Sequence, residues 1–437
     1  MTAIKPKAHT VASLWNDVTP PSKNFPTLQG ENQSDVVIIG GGFTGLSCAL
    51  HLAKAGHAVT LLEGRTIGFG GSGRNSGQVI PVLSGPEPEQ IEKRYGQTGE
   101  RLVSLIAESA EFLFALARQE NIDCEAEQTG WFQPAHTSGH MKTSAARVKA
   151  WSKRGAPAQL LDKDECEKLL GSKQWFGGML NPTGGHINPM AFARGLATAC
   201  SRAGVKIFEN SIAEQVRKSG SGWQVLTPTG SVKTNAVLMA TNAYSNELST
   251  TLETKTARSL IPVTSWQMAT PPLSQELREE IMPNRQAVSD TRGDLQFFRY
   301  DARNRLVTGA ALMVPFNAEQ RLKTMVGARL AKAFPQLGAP EFTHVWSGFV
   351  GMTMDRYPHF HQLGDNYWSA IGFNGRGVAL AVAIGAEMAK AIAGENIKTL
   401  ALPLSKPAAI AFQPIARRVA RLALPYYRWL DTRPPKP

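Results

Sequence analysis

A glycine-rich turn between an apolar run and a helical pattern constrains this chain more than any other feature. Residues 36–39 are all Val or Ile, and the GxGxxG segment Gly40–Gly45 follows them directly. The first glycine permits a tight turn, the second lets the backbone approach a pyrophosphate, and the third lets the helix pack on the strand. Glu63 ends the next apolar run, where a carboxylate can accept a hydrogen bond from a ribose hydroxyl. The pattern therefore predicts a Rossmann-like unit that binds an ADP-containing dinucleotide.

Length and composition exclude several classes of protein. The chain has 437 residues, enough for two domains or for one domain with a large insertion, and it contains no run of 18 apolar residues that would span a bilayer. Residues 1–33 are polar, without the apolar core of a signal peptide, so we expect a cytoplasmic protein. Its four cysteines are widely separated, which indicates free thiols and no metal site.

The positive charge of the chain is concentrated at its C-terminus. The net charge is +12, and residues 406–437 carry seven basic residues and one acid. On a helix, Arg417, Arg418 and Arg421 would face away from Ile415, Val419 and Leu422, and Pro425 is expected to end that helix before Tyr426, Tyr427 and Trp429. Two interpretations stay open: residues 413–430 contact an anionic membrane surface at the inner face of the cytoplasmic membrane, or the helix docks on the body. Nucleic-acid binding is not expected.

Further strand and helix patterns indicate how the chain is organised. A glycine-rich loop spans residues 64–78, and a long helical stretch follows over 88–119. A second strand–glycine–helix junction occupies residues 367–393, and short β-like segments separated by prolines lie between residues 260 and 308. These patterns predict an α/β (α+β) fold, with a Rossmann-like dinucleotide-binding domain into which an antiparallel-sheet domain is inserted, and a basic amphipathic tail over residues 404–437.

Four sequence motifs together resemble the FAD-dependent D-amino-acid oxidase superfamily, and within it the γ-glutamylputrescine oxidase-like branch. They are the Gly40–Gly45 fingerprint with its acid, the Ser72–Gln78 loop, the segment Ala240–Tyr244, and the late series from Trp346 to Gly377. The resemblance covers roughly residues 34–403 and is specific for the cofactor, not for the substrate. It implies a Rossmann-like FAD-binding domain over residues 34–115, 181–245 and 345–403, interleaved with an antiparallel-sheet substrate domain over residues 116–180 and 246–344 whose sheet covers the flavin.

The resemblance also implies which residues contact FAD. The fingerprint would hold the pyrophosphate, Glu63 the adenosine ribose, the 68–78 loop the ribityl–flavin side, the backbone near Ala213 the adenine, and residues 375–377 the pyrimidine edge of the flavin. Negative charge at that edge would be stabilised by a helix N-terminus. The expected cofactor-binding residues are Gly40, Gly42, Phe43, Thr44, Gly45, Glu63, Gly64, Arg65, Gly71, Ser72, Arg74, Asn75, Gly77, Gln78, Ala213, Thr241, Asn242, Gly372, Asn374, Gly375 and Gly377.

Three residues are candidates for the substrate pocket. Arg376 stands where many relatives have histidine, so it is expected to contact either the flavin edge or a substrate carboxylate. Arg299 and Tyr300 lie on a predicted strand, and a buried Arg299 would favour a substrate with a carboxylate. The alternative for Arg299 is an exposed strand residue paired with Asp294 or Asp301. Trp266 is expected either to wall the pocket or to lie in the core, and the scattered histidines 186, 344, 359 and 361 are more often structural.

The implied reaction is oxidation of a C–N bond by hydride transfer to flavin N5, giving an imine that is hydrolysed. The substrate would be a γ-glutamylputrescine-like amine, an amino acid, or a cyclic imino acid such as pipecolate or proline. Alternatives are a membrane-associated dehydrogenase that passes electrons to quinone, a flavoenzyme for a C–O or carbon-centred substrate, and a non-catalytic dinucleotide-binding protein. An NAD enzyme is disfavoured, because the second glycine junction and the 68–78 loop would then lack a purpose.

Overall fold

The computed structural model describes residues 13–21, 23–248, 251–252, 254–312, 316–413, 415 and 423–432. Its helices, in chain order, are α1 Leu14–Val18, α2 Phe43–Lys54, α3 Pro88–Tyr95, α4 Gln97–Gln119, α5 His140–Ser152, α6 Lys163–Leu170, α7 Pro189–Arg202, α8 Ser245–Leu248, α9 Thr254–Ala257, α10 Gln275–Glu280, α11 Ala318–Ala333, α12 Gly377–Ile392 and α13 Ala423–Leu430. Its strands are β1 Gly30–Ile39, β2 Val59–Leu62, β3 Gln78–Val79, β4 Trp131–Pro134, β5 Gln159–Leu161, β6 Gly178–Asn181, β7 Gly185–His186, β8 Lys206–Phe208, β9 Gln215–Ser219, β10 Gly222–Leu226, β11 Gly230–Met239, β12 Ile261–Pro272, β13 Ala287–Ser289, β14 Phe297–Tyr300, β15 Arg305–Ala310, β16 His344–Met352, β17 His359–Gly364 and β18 Tyr367–Ile371.

The first sheet carries the predicted dinucleotide unit. Its order is β17-β18-β11-β1-β2-β8, with β10 and β9 continuing from the first half of β11. The central strands are parallel, and Ile39 pairs with both Leu62 and Met239, so three strands end at the same edge. Helices α2 and α12 pack together, with Ser47 Oγ donating to the carbonyl of Val382 at 2.7 Å. Ligands of open α/β sheets bind at this edge.

The second sheet has eight strands in the order β16-β12-β15-β14-β13-β4-β6-β5. All neighbouring pairs are antiparallel except β13 with β4. The predicted fold class, a Rossmann-like domain interleaved with an antiparallel-sheet domain, is confirmed. One expected boundary differs from the pairing: residue 345 lies within β16, and β16 pairs along its whole length with β12 in this second sheet.

The predicted long helix over residues 88–119 is two helices. Gly96 separates α3 from α4 with a backbone φ of 57°, a conformation that glycine adopts without a steric penalty. The apolar periodicity continues across the break, and this is why the pattern alone indicated one helix.

The C-terminal tail is described only in part. Ile415 is exposed, whereas Val419, Leu422 and the arginines at 417, 418 and 421 lie outside the described residues. Pro425 does not end a helix as expected; it lies within α13, which continues to Leu430. Arg428 Nε donates to Asp294 Oδ2 at 2.7 Å, so α13 docks on the body, while Tyr426 and Trp429 are 57% and 47% exposed.

The four cysteines are free and buried, as expected of reduced thiols. Burial raises the pKa of Cys124 and of Cys166 to about 12, so both stay protonated at neutral pH. Within the described part of the chain, no helix is both long and apolar enough to cross a membrane.

Candidate functional site

A cavity of about 360 Å³ opens where β1, β11 and β18 end, and strands of the second sheet cover it. Glu63, Ala213 and Arg376 are all among the residues that line it. The cavity is lined by residues 39–44, 62–64, 69–72, 74–76, 78, 80, 212–213, 240–245, 252, 265, 267, 295, 297, 348–351, 373–378 and 381. Of the expected cofactor-binding residues, all but Gly45, Arg65, Gly77 and Gly372 are among them.

The turn before α2 forms a cradle that only glycine fits. Gly40 has a φ of 114°, and a Cβ there would lie 2.8 Å from the carbonyl oxygen of Ala240. A Cβ on Gly42 would lie 2.9 Å from Ser72 Oγ, which accepts a hydrogen bond of 3.0 Å from the N–H of Phe43. Gly45 lies behind the turn, where a Cβ would overlap the Gly40 carbonyl. The cradle therefore leaves helix N–H groups open to an anion.

Glu63 closes the opposite side of this cradle. Its Oε2 accepts from the N–H of Gly41 and its Oε1 from the N–H of Arg65, both at 2.8 Å. Burial raises the pKa of this carboxyl above its ordinary value, and the backbone hydrogen bonds oppose that rise. Each carboxylate oxygen has more than one lone pair, so Glu63 still has capacity to accept hydroxyl hydrogen bonds. The Arg65 guanidinium lies outside the cavity, against the Phe69 ring.

Polar side chains of the 68–78 loop hold the loop in shape. Arg74 Nε donates to the carbonyl of Phe69 at 2.6 Å, and Asn75 Nδ2 donates to that of Gly71 at 3.0 Å. Gln78 Nε2 donates to the carbonyl of Val288 at 2.9 Å and so ties the loop to the second sheet. These amide and guanidinium donors are therefore used on the protein's own backbone, and the loop presents mainly its main chain to the cavity.

The second glycine junction is fastened in the same way. Asn242 Oδ1 accepts from the N–H of Gly372 at 3.0 Å, which joins the end of β11 to the turn after β18. Asn374 Oδ1 accepts from the N–H of Thr353 at 2.8 Å. Helix α12 then begins at Gly377 with no side-chain cap, and residues 375–378 at its N-terminus line the cavity.

Arg376 is a buried cation on the wall of the cavity. Its Nη1 lies 3.3 Å from Ser289 Oγ and its guanidinium lies 5.3 Å from the centre of the Trp131 ring. No carboxylate among the described residues forms an ion pair with it. Burial, and to a lesser extent the charge of Arg147, lower the pKa of Arg376 to about 9, so it remains positive at neutral pH. An unpaired buried guanidinium is costly unless a ligand brings an anion to it.

Arg299 and Tyr300 do not line the cavity. Arg299 is on the same face of β14 as Phe297 but lies two residues further along, behind the 68–78 loop. It is neither an exposed residue nor the partner of an aspartate; its guanidinium donates to the carbonyls of Ser76, Tyr300 and Ile187 at 2.6, 2.9 and 2.9 Å. Tyr300 points into the core of the second sheet and donates to the carbonyl of Ile281 at 2.9 Å.

The sequence missed the residues of the second sheet that cover the cavity. Alternation along β12 places Ser265 and Gln267 on the cavity side and Trp266 against the core, the second of the two positions expected for it. Gln267 Nε2 donates to Ser265 Oγ at 3.1 Å, while its Oε1 is buried without a partner in the described structure. In the sequence, the alternation of small and polar residues with apolar ones in β12 is the signal that could have identified Ser265 and Gln267 as cavity residues. The main chain of β16 at residues 348–351 completes the cover.

The histidines at 186, 344, 359 and 361 all lie away from the lining. His186 is buried, and burial lowers its pKa well below the ordinary value, so this ring is neutral. Among the described residues, no group of three or more His, Cys, Asp or Glu side chains is arranged to hold a metal ion.

The geometry fits an extended dinucleotide: a glycine cradle at a helix N-terminus, a carboxylate beside it, and a second helix N-terminus further along one cavity. A family model described as FAD dependent oxidoreductase (DAO) matches residues 35–391. A probable oxidoreductase OrdL of Haemophilus influenzae is 32% identical over 96% of this chain and 97% of its own length. The γ-glutamylputrescine oxidoreductase of Escherichia coli is 32% identical over 85% of this chain and 86% of its own length.

Solved structures show the same fold at lower sequence identity. Glycine oxidase from Geobacillus kaustophilus superposes with a TM-score of 0.70 at 22% identity, covering 87% of this chain and 99% of its own. L-proline dehydrogenase from P. horikoshii gives a TM-score of 0.71, also at 22% identity, with coverage of 89% and 99%.

Proposed function

The chain belongs to the DAO family of FAD-dependent oxidoreductases, and on that premise we propose that it oxidises a C–N bond in a compound that also carries a carboxylate. The main support for a carboxylate on the substrate is Arg376, a buried and positively charged guanidinium on the cavity wall. It has no carboxylate partner among the described residues. A substrate carboxylate would pair with it bidentately. The compounds that fit are a γ-glutamylputrescine-like amine, an amino acid, or a cyclic imino acid such as pipecolate or proline.

FAD would lie along the whole cavity. The Gly40–Gly45 cradle would hold its pyrophosphate, and Glu63, with Ala213 nearby, the adenosine end. The 68–78 loop would border the ribityl and flavin, and the α12 N-terminus at residues 375–377 the pyrimidine edge. When bound, FAD supplies a hydride acceptor at N5, and the substrate leaves as an imine that water hydrolyses.

The chain's own residues bind, orient and shield the substrate. Arg376 would hold the carboxylate, and Gln267 Oε1 offers a buried acceptor for an N–H group. Ile80, Leu295 and Phe297 give the cavity an apolar lining, which would help to exclude water once substrate is bound. Apart from Glu63, no Asp, Glu or His is among the residues described as lining the cavity. We therefore expect the amine to react in its neutral form, deprotonated by solvent before it binds.

An anaerobic screen of flavin bleaching tests this function. We expect the holoprotein to lose its yellow absorbance with at least one of γ-glutamylputrescine, L-proline and L-pipecolate. We expect it to react about a hundredfold more slowly with the carboxyl-free analogue, because that analogue leaves the buried Arg376 guanidinium unpaired, at a cost of about 3 kcal/mol. Pyrrolidine and piperidine are the matched analogues for the two cyclic acids. A protein that stays yellow with every nitrogen compound contradicts the proposal.

A second proposal concerns the tail. Residues 413–430 would rest on the anionic inner face of the cytoplasmic membrane, from which electrons could pass to a quinone. Tyr426 and Trp429 support this, because their rings stack at 5.9 Å and stay exposed while Tyr427 and Arg428 dock inward. Exposed Tyr and Trp beside basic residues suit a lipid headgroup boundary.

Sedimentation with phosphatidylserine vesicles tests the tail. We expect the protein to sediment with the vesicles at low salt and the double variant Tyr426→Ser/Trp429→Ser to bind about tenfold more weakly, because it loses the aromatic groups that enter the interface. Leu160→Ser removes a similarly exposed apolar side chain on β5 and is the matched control. Equal binding of all three proteins would count against membrane contact.

A further inference from the structure

Three consecutive carbonyls of the cavity loop, those of residues 74–76, each accept a hydrogen bond from a buried side chain far away in sequence. Trp346 Nε1 donates to the first at 2.9 Å, Trp15 Nε1 to the second at 2.9 Å, and Arg299 Nε to the third at 2.6 Å. We call these three side chains the indole–guanidinium clamp. They come from β16, from α1 and from β14, so the loop is held by three separate parts of the chain.

The three side chains of the clamp also hold one another. The Arg299 guanidinium lies 4.5 Å from the centre of the Trp15 ring, and the Trp15 and Trp346 rings meet edge to face at 5.9 Å. All three are at most 1% exposed. A stacked guanidinium and two packed indoles have little freedom to reorient, so the direction of their donors is determined by packing.

The clamp also determines where the loop's N–H groups point. In a trans peptide the N–H lies opposite to the carbonyl of the same plane. Because Trp15 holds the carbonyl of Asn75 on one side, the N–H of Ser76 is directed to the other side. Ser76 lines the cavity, and its N–H has no hydrogen-bond partner in the described structure. A backbone donor is thus presented to whatever lies in the cavity.

Helix α1 is itself anchored independently of the loop. Ser13 caps it by accepting from the N–H of Asn16 at 3.2 Å. After the helix, Thr19 and Asn188 exchange hydrogen bonds, and Arg194 Nη1 donates to the carbonyl of Pro20 at 2.7 Å. The family model begins at residue 35, so this anchored segment lies before the matched span.

We propose that the indole–guanidinium clamp positions the 68–78 loop against the cofactor, and that α1 contributes to the FAD site through Trp15. The clamp holds the loop so that the N–H of Ser76 donates to the flavin side of FAD. This inference rests on the proposed placement of the flavin beside the 68–78 loop.

FAD titration of deflavinated protein tests the clamp, with Trp15→Phe and Trp346→Phe as separate variants. Each keeps an aromatic ring and removes one donor. We expect each to weaken FAD binding about fivefold and to shift the visible absorption band of bound flavin, because the loop loses its orientation. Trp223→Phe is the matched control: its indole also donates to one backbone carbonyl, that of Asp365 at 2.8 Å, but outside the cavity.

The apoprotein melting temperature separates positioning from general stability. We expect all three variants to melt somewhat lower than the parent, and only the two clamp variants to bind FAD more weakly. If both clamp variants bind FAD as tightly as Trp223→Phe does, with an unshifted spectrum, the inference is overturned. A protein that binds FAD but is bleached by no amine would end the proposed function and leave the clamp standing.

Discussion

Replacing Arg376 by glutamine is expected to lower kcat/KM for the carboxylate-bearing substrate by roughly 150- to 5,000-fold. Removing one partner of a buried ion pair costs about 3–5 kcal/mol, because the remaining charge is left without compensation in a dry site. Steady-state kinetics with the best substrate of the bleaching screen provide the measurement. The FAD content of the variant should stay near that of the parent, since the neighbouring backbone N–H groups, not the guanidinium, are expected to face the flavin edge.

Two comparisons make the Arg376 result specific. Arg376→Lys keeps the charge but loses the planar fork, so an intermediate loss is expected. The carboxyl-free analogue of the same substrate should react with the parent and with Arg376→Gln at similar rates. If the glutamine variant loses activity equally toward both compounds, Arg376 does not recognise a carboxylate.

Replacing Gly42 by alanine is expected to weaken FAD binding by roughly ten- to a hundredfold. The new methyl group would lie 2.9 Å from Ser72 Oγ and would compete with the hydrogen bond from the N–H of Phe43. Overpacking of this kind costs about 1–3 kcal/mol, and here it falls where the pyrophosphate must approach the backbone. FAD titration of the apoprotein measures the effect.

Gly327→Ala is the matched control for Gly42→Ala. Gly327 lies within α11, and its nearest neighbour for a Cβ is Phe342 at 3.8 Å, an ordinary contact. Alanine there should leave FAD binding unchanged and stabilise the helix slightly. Unaltered FAD affinity in Gly42→Ala, at a melting temperature close to that of the parent, would show that the cradle does not receive the pyrophosphate.

The sequence was sufficient for the parts of the molecule that depend on short-range pattern. An apolar run, a GxGxxG turn and an acid at the end of the next strand follow one another within 30 residues, and β1, α2 and β2 form there. Strand β18 and helix α12 were predictable in the same way. In these segments spacing along the chain determines which groups meet, so no knowledge of distant partners is needed.

The tertiary structure decided which side chains face the cavity and which hold its walls from behind. Arg299 was a pocket candidate from its type and strand, yet its partners lie 223 and 112 residues away and are carbonyls. Trp15 gave no signal, because an indole bond to a distant carbonyl leaves no periodicity in the sequence. Ser265 and Gln267 line the cavity only because β12 lies beside β16 over the first sheet. Local spacing specifies which face of a helix or strand a side chain occupies. Which group that side chain then meets on another helix or sheet depends on how the whole chain folds.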